Sequence, residues 1–338
     1  ARGNALAKAW EEIPEPICIE LDLKRCDQHE NAALIEYQNM LTQMFVEGFQ
    51  TEDLRSLRRL LKAQIYNTGR VYTDEGTIKY QTDGCGMSGD MNTSLRNVLI
   101  VCAATKAYLD HLGIVNYRYG NDGDDGWLIV NKRDVKTIVS GLADWWLRLG
   151  LSVEVEGIKS HLEDICFCQG KPVWTQDNGY VMVSDPRKRL YADLVTTKNL
   201  SSVKVFHKWV GAVAGGGLCN THAIPVLNNH YRWMARTSYP WIPKEGDMYY
   251  RHSWWNGTST SALKRDPVEP HYRTRISFYL AFDITPKEQC MLESYYDALP
   301  KLNWSTPAAS TFTLPPLHRA LAPPVQADRI MDITTELD

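Results

Sequence analysis

Apolar positions along the chain repeat with two periods. A period of two marks strands. Residues 17–22, Ile-Cys-Ile-Glu-Leu-Asp, alternate and end on an acid, which predicts a strand delivering Asp22 at its C-terminal end. Val115, Tyr117 and Tyr119 precede Gly123-Asp124-Asp125, and Trp127–Val130 follow it. That pattern predicts a β-hairpin tipped by two acids. A second hairpin is expected over 69–81, turning at Asp74-Glu75-Gly76, with further short strands at 152–155, 164–168, 172–174 and 180–183. A period near 3.6 predicts helices at 4–12, 29–48, 52–63, 98–112 and 134–149. In the second of these, Leu34, Tyr37, Leu41, Met44 and Phe45 share a face; in the third, leucines recur at helical spacing. Both faces are expected in the core. After Pro186 helical patterns dominate, at about 187–198, 203–217, 222–237 and 286–298, interrupted by Pro240, Pro243 and Gly246. From Pro300 the sequence is proline-rich and aperiodic, and reads as a tail that wraps a surface or is mobile.

Composition changes this picture little. The chain has 338 residues, 44% hydrophobic and 23% charged, which is globular and long enough for two domains. A net charge of −3 gives no overall basic signature of a nucleic-acid binder, but a local basic groove is compatible with it. Apolar runs are too short to span a bilayer. Eight cysteines are scattered, several inside apolar patterns, which fits a reducing, cytoplasmic setting. Cys166-Phe167-Cys168 alternates like a strand, so both sulfurs are expected on one side, yet no Cys/His pair at zinc-site spacing stands nearby.

The chemistry starts at Asp124 and Asp125. Two adjacent carboxylates at a tight turn repel each other, and a bound divalent cation keeps both ionised. Asp and Gly are also ordinary turn residues, so the tripeptide alone does not specify a site. Asp27 has the same double reading, because Glu30 three residues on makes it a helix-cap candidate. Residues 84–97 combine three glycines with small polar residues in a loop that leads into a helix. Thr93 and Asn97 are four apart and share a helix face, with Ser88 on the loop before them.

Taken in order, these pieces resemble the palm of viral RNA-dependent RNA polymerases, in particular the tombusvirus-like group of positive-strand RNA viruses. Asp22-Leu-Lys-Arg-Cys-Asp27-Gln-His is similar to their first palm motif, and Ser88-Gly89-Asp-Met-Asn-Thr93-Ser-Leu-Arg-Asn97 to the second. Asn121-Asp-Gly-Asp124-Asp125 resembles the third, and Glu163-Asp-Ile-Cys166-Phe167-Cys168-Gln169 the primer-grip turn. Trp209–Gly217, Pro225-Val-Leu, Tyr231-Arg-Trp-Met and Thr274–Pro286 resemble the helical thumb.

The resemblance implies an α+β fold. A palm, an antiparallel sheet with flanking helices, spans 1–185, with a small fingers-derived insertion around 50–85. A helical thumb spans 186–300 and a proline-rich tail 301–338, and the fingers are largely missing. It implies nucleotidyl transfer with two Mg²⁺ (or Mn²⁺) ions. Asp22 and Asp124 bridge them, Asp125 supports, and the Leu23 carbonyl contributes. Asp27, Ser88, Gly89, Thr93 and Asn97 then read the incoming ribose, and Cys166, Phe167, Cys168 and Gln169 grip the primer. The implied partners are the RNA template and nascent strand, nucleoside triphosphates, and a second polypeptide or N-terminal extension carrying the fingers. The implied place is the host cytoplasm, at membrane-associated replication complexes reached through a partner.

Two departures qualify this. The family's fourth motif usually carries a lysine, thought to protonate the leaving pyrophosphate, where this chain has Glu154; Lys159 and His161 are the candidate substitutes. The basic motif that grips the triphosphate is expected upstream of Ala1. The alternative is therefore a non-catalytic RNA-binding or assembly subunit that keeps the fold. A reverse transcriptase fits less well, since the Asp27/Asn97 pairing reads as ribose acceptance.

Overall fold

A computed structural model describes residues 2–46, 48, 50–196, 200, 202–238 and 266–301. The interruptions expected at Pro240, Pro243 and Gly246, and nearly all of the expected tail, lie outside the described residues. Helix and sheet are mixed, as expected, and the contacts divide the chain into two compact units. One is residues 5–168; the other is residues 169 onward together with 1–4.

The first unit is built on β1 (Pro16–Leu23), β4 (Tyr117–Asp122), β5 (Asp125–Asn131) and β6 (Val153–Lys159), with β2 (Tyr66–Thr73) and β3 (Gly76–Asp83) forming a separate hairpin. The four-stranded sheet is antiparallel in the order β4-β5-β1-β6. β1 is therefore an inner strand, which explains its nearly continuous burial. Ile19, Leu21 and Leu23 point to one face, where α5 (Thr93–His111) and α6 (Val135–Arg148) supply Ile100, Val101, Tyr108, Ile138, Leu142 and Trp146. Val135, Ile138, Leu142 and Trp146 follow helical spacing, so this face was readable from sequence.

Three sequence expectations fail here for physical reasons. Helix α3 (Ala32–Met44) does not bury the face predicted for it: Tyr37, Met44 and Phe45 are 41%, 63% and 71% exposed. It buries Ile35, Gln38 and Asn39 instead. Gln38 donates to Glu30 (3.0 Å) and Asn39 to the Leu61 carbonyl (3.0 Å), so these amides are satisfied inside. Helix α4 (Thr51–Ala63) buries only Leu61 fully. The strand expected at 164–168 is a 3₁₀ turn over Leu162–Asp164 followed by Cys168 and Gln169 at φ of 51° and 58°. Left-handed backbone cannot continue a pleat, so the expected alternation of the two sulfurs does not arise.

The second unit pairs β7 (Gly170–Thr175) with β8 (Gly179–Ser184) and adds helices α7 (Pro186–Ala192), α8 (Val203–Asn220), α9 (Leu227–Ser238), α10 (Tyr272–Phe282) and α11 (Pro286–Ala298). Its core joins Trp209, Val210, Ala214, Trp233, Phe278 and Tyr296. Gly217 lets α8 and α9 approach, since a Cβ there would lie 2.3 Å from the Tyr231 ring. Periodicity did not mark helix α10, although Thr274–Pro286 resembles part of the helical thumb. The helix buries Thr274, Arg275 and Ser277 beside Phe278, so its polar and apolar residues do not separate into faces.

Candidate active site

The strand register assembles the acids. Asp22 lies directly opposite Asp125 of β5 and opposite Glu154 of β6. Asp122 of β4 lies opposite Asp125. The row Asp122–Asp125–Asp22–Glu154 therefore crosses all four strands at one end of the sheet. Gly123 (φ 79°) and Asp124 form the two-residue turn of the hairpin, and the Asp124 carbonyl accepts the Leu23 N–H at 3.3 Å. This bond ties the end of β1 to the acidic turn and sets Asp22, Leu23, Asp124 and Asp125 side by side.

The row is electrostatically loaded. Burial, then the charges of Asp124 and Glu154, push the Asp22 carboxyl above its ordinary range, while Lys24 pulls it down. Asp125 is raised by burial, and by Asp22 and Asp124, against a lowering hydrogen bond from Cys168. β6 carries a bulge: Glu20 pairs with Gly157 but Leu21 with Val155, leaving Glu156 as the extra residue. Burial and the charges of Asp22, Asp125 and Glu154 raise Glu156 as well. Crowded hard oxygen donors that disfavour their own ionisation suit a divalent cation. Among the described residues, no three His, Cys, Asp or Glu groups converge as a ready-made metal cluster.

The turn at 166–169 is anchored to the same sheet. The Cys168 N–H donates to Asp125 (2.6 Å) and the Cys166 N–H to the buried carboxylate of Glu20 (2.5 Å). Phe167 is buried between them in sequence, while Cys166, Cys168 and Gln169 are exposed. Glu20 also meets Lys159 at 3.5 Å.

Asp27 is not a helix cap. The cap position of the short helix α2 (Cys26–His29) is Arg25, in left-handed backbone without a side-chain bond. Asp27 instead accepts the Asn97 amide at 2.8 Å and the Ser88 hydroxyl at 2.5 Å. Asn97 is 6% exposed and its Oδ1 has no hydrogen-bond partner among the described residues. Thr93 is not part of that set: its hydroxyl donates to the Met87 and Asp90 carbonyls and closes the loop. Gly89 is exposed on the same loop.

The two candidate acids are not brought to the row. Lys159 lies opposite Cys18, five residues along β6 from Glu154, about 16 Å of strand. His161 is exposed beyond the strand end. The residue beside Glu154 is Lys24, whose Nζ pairs with its carboxylate.

Sequence reasoning missed the support beneath the loop. Arg96 and Glu30 are both buried and pair at 3.1 Å, with Asp90 3.3 Å from the same guanidinium. A Cβ on Gly86 would fall 2.1 Å from Arg96 Nη2 and 2.3 Å from Glu30 Oε2, so only glycine fits over the pair. A signal existed: Arg96, Ile100, Ala104 and Tyr108 share one row at i+4 spacing, which put an arginine on the buried stripe.

Comparison with known proteins identifies the family. A family model described as viral RNA dependent RNA polymerase matches residues 1–304. The RNA-directed RNA polymerase of tobacco necrosis virus (strain D) is 33% identical over 300 residues, covering 88% of this chain and 41% of the relative. That of tomato bushy stunt virus (strain Cherry) is 34% identical over 291 residues, covering 86% and 34%. That of panicum mosaic virus (strain United States/Kansas 109S) is 35% identical over 307 residues, covering 90% and 30%. The chain thus spans less than half the length of each of these relatives. Because the match runs through both units, and through every motif from Asp22 to Gln169, the chain belongs to the viral RNA-dependent RNA polymerase family.

Proposed function

We propose that the first unit is the catalytic palm, and the second the helical thumb, of an RNA-directed RNA polymerase that performs template-directed nucleotidyl transfer. The observation that carries this reading is the direct pairing of Asp22 with Asp125, with Asp124 at the adjoining turn. Asp22, Asp124 and Asp125, with the Leu23 carbonyl, are the groups suited to hold two Mg²⁺ or Mn²⁺ ions. Such ions, when bound, stabilise the attacking 3′-oxygen and the leaving pyrophosphate. The chain's own residues do the positioning. Cys168 fixes the Asp125 carboxylate through its N–H. Asp27 holds the Asn97 amide and the Ser88 hydroxyl, and this linked set reads the ribose 2′-hydroxyl, which DNA precursors lack. The turn 166–169 faces the nascent strand as a primer grip.

In this reading the fingers and their triphosphate-gripping cations come from an extension or a second polypeptide. The working place is the host cytoplasm, at membranes reached through a partner; no helix among the described residues is long and apolar enough to cross a membrane.

One observation favours the non-catalytic alternative: the group opposite Asp22 on β6 is the carboxylate of Glu154, tied to Lys24. Primer extension with and without the upstream polypeptide separates the two readings. Asp124→Asn should abolish incorporation without lowering the ion-free melting temperature, because the site is a turn and not core and the change removes a like charge beside Asp22 and Asp125. Equal incorporation by that variant refutes the catalytic reading.

A further inference from the structure

Helix α4 carries a cluster of positive charge that the fold itself does not use. In α4 the residues Arg55, Arg58, Arg59 and Lys62 stand at i, i+3, i+4 and i+7, so they form one stripe within about 10 Å of helix axis. All four are exposed. None is in an ion pair with a described residue; Arg58 only donates its Nε to Gln43 at 3.0 Å. The helix's own acids, Glu52 and Asp53, sit in its first turn, where the macrodipole favours them. Like charges at i+3 and i+4 weaken a helix. An external anion is the natural counterpart.

The hairpin that follows sets two cations side by side, with its acids at the ends: Asp74 and Glu75 at the turn and Asp83 opposite Tyr66. Arg70 of β2 lies directly opposite Lys79 of β3, and both are exposed. Like charges opposite each other destabilise a strand pair. Tyr66 and Tyr72 alternate onto the same face as Arg70 and are 61% and 75% exposed. Exposed aromatics interleaved with cations suit a single strand, whose bases stack while its phosphates are neutralised.

We infer that the basic stripe of α4 and the Arg70/Lys79 face of the β2–β3 hairpin bind the phosphate backbone of single-stranded RNA, outside the carboxylate site. The choice of RNA rests on the polymerase reading; the surface does not. An anionic membrane would need the apolar side of α4 to enter the bilayer. Most of that side faces protein: Leu61 is buried and its carbonyl is held by Asn39, Leu54 and Leu57 are half-buried, and Leu60, 61% exposed, is the one leucine of the helix left to solvent.

The test is the salt dependence of binding by the whole chain to a short fluorescent oligouridylate, in EDTA and without nucleotides. Neutralising one phosphate contact on a single strand removes about 0.7 from the slope of log K against log salt. The variant with Arg55→Gln, Arg58→Gln, Arg59→Gln and Lys62→Gln should lose about 2.8, and Arg70→Gln with Lys79→Gln about 1.4. Between about 50 and 200 mM salt, wild type should then lose about fifty-fold more affinity than the quadruple variant. Gln is a good helix former, so α4 should persist, checked by far-ultraviolet circular dichroism. If the quadruple variant does not fold, Arg55→Gln and Lys62→Gln singly should each remove about 0.7. The control pair Lys132→Gln and Lys136→Gln, also exposed, should leave the slope unchanged. An unchanged slope in the folded helix and hairpin variants overturns the inference. So does loss of binding to phosphatidylserine vesicles with RNA binding intact, which makes the surface a membrane contact. Because no transfer is measured, a catalytically dead chain that still shows the slope loss overturns the polymerase reading alone.

Discussion

Replacing Arg96 by Met should be the most damaging single change near the loop that leads into α5. Arg96 and Glu30 are each about 1% exposed, and they neutralise each other at 3.1 Å. Gln38 also donates to Glu30 at 3.0 Å. Removing the guanidinium leaves a buried carboxylate with that one amide for support. Breaking a buried pair in this way costs about 3–5 kcal/mol. A unit of this size shifts by about 2–4 °C per kcal/mol, so the melting temperature should fall by about 6–20 °C. Adding Glu30→Gln removes the stranded charge and keeps an oxygen for Gln38, so the double variant should recover to within about 2 kcal/mol of wild type. Acidity gives an independent check. Burial already raises Glu30, offset by Gln38 and Arg96, and without Arg96 it rises further. A carboxyl raised in the fold stabilises while protonated and loses that contribution as pH rises through its folded value. The deficit of Arg96→Met should therefore shrink as pH falls from about 7 to 5, and that of the double variant should not. A fall below about 1 kcal/mol in the single variant, or no recovery in the double, refutes the reasoning.

Divalent-ion binding should appear as thermal stabilisation without any catalysis: at tenfold over its dissociation constant, Mg²⁺ adds about 1.4 kcal/mol, or about 3–6 °C. Asp22 and Asp125 are raised, so ion-free stability falls as pH rises through their folded values. The Mg²⁺ shift should then grow with pH and be lost in Asp124→Asn; a shift equal in both proteins would place the ion elsewhere. Asn97→Ala and Asp27→Ala should lower the preference for ribonucleotides over deoxyribonucleotides by about ten- to 150-fold, the worth of one hydrogen bond in a charged network. That is measured as a ratio of kcat/KM values, and an unchanged ratio would reduce both side chains to supports of the loop.

What was legible in the sequence was whatever depends on period and order. The alternation of residues 17–22 identified a strand that carries Asp22 near its C-terminal end, and the hairpin at 117–130 formed as read. Helix α3 was misread because hydrophobicity alone ranks its faces. The buried side is chosen by partners, Glu30 and the Leu61 carbonyl, that are remote or unremarkable in sequence. The turn at 166–169 was misread as a strand because Cys-Phe-Cys alternates. Two carboxylates, Glu20 and Asp125, capture its N–H groups and hold it in left-handed backbone. Neither bond leaves a local trace, since the partners are 146 and 43 residues away.

Cross-strand register was equally illegible, and it decides the character of the site. The resemblance made Glu154 a missing lysine; the register makes it the neighbour of Asp22, with Lys24, the residue just after β1, returning a positive charge. Lys24 is thus paired with Glu154, on a half-exposed surface. Asp122, Asp125, Asp22 and Glu154 form the row, with Asp124 and Glu156 close enough to act on Asp22 or to be acted on by it. A nucleoside triphosphate has the same sign as this surface and is repelled by it. On the proposed function, the triphosphate must therefore approach as a complex with cations. The bulge at Glu156 sharpens the effect by adding a carboxylate without adding a paired residue on β1. Strand pairing has thereby concentrated negative charge at one sheet end in a chain whose net charge is only −3, while the compensating stripe on α4 belongs to a helix outside that sheet.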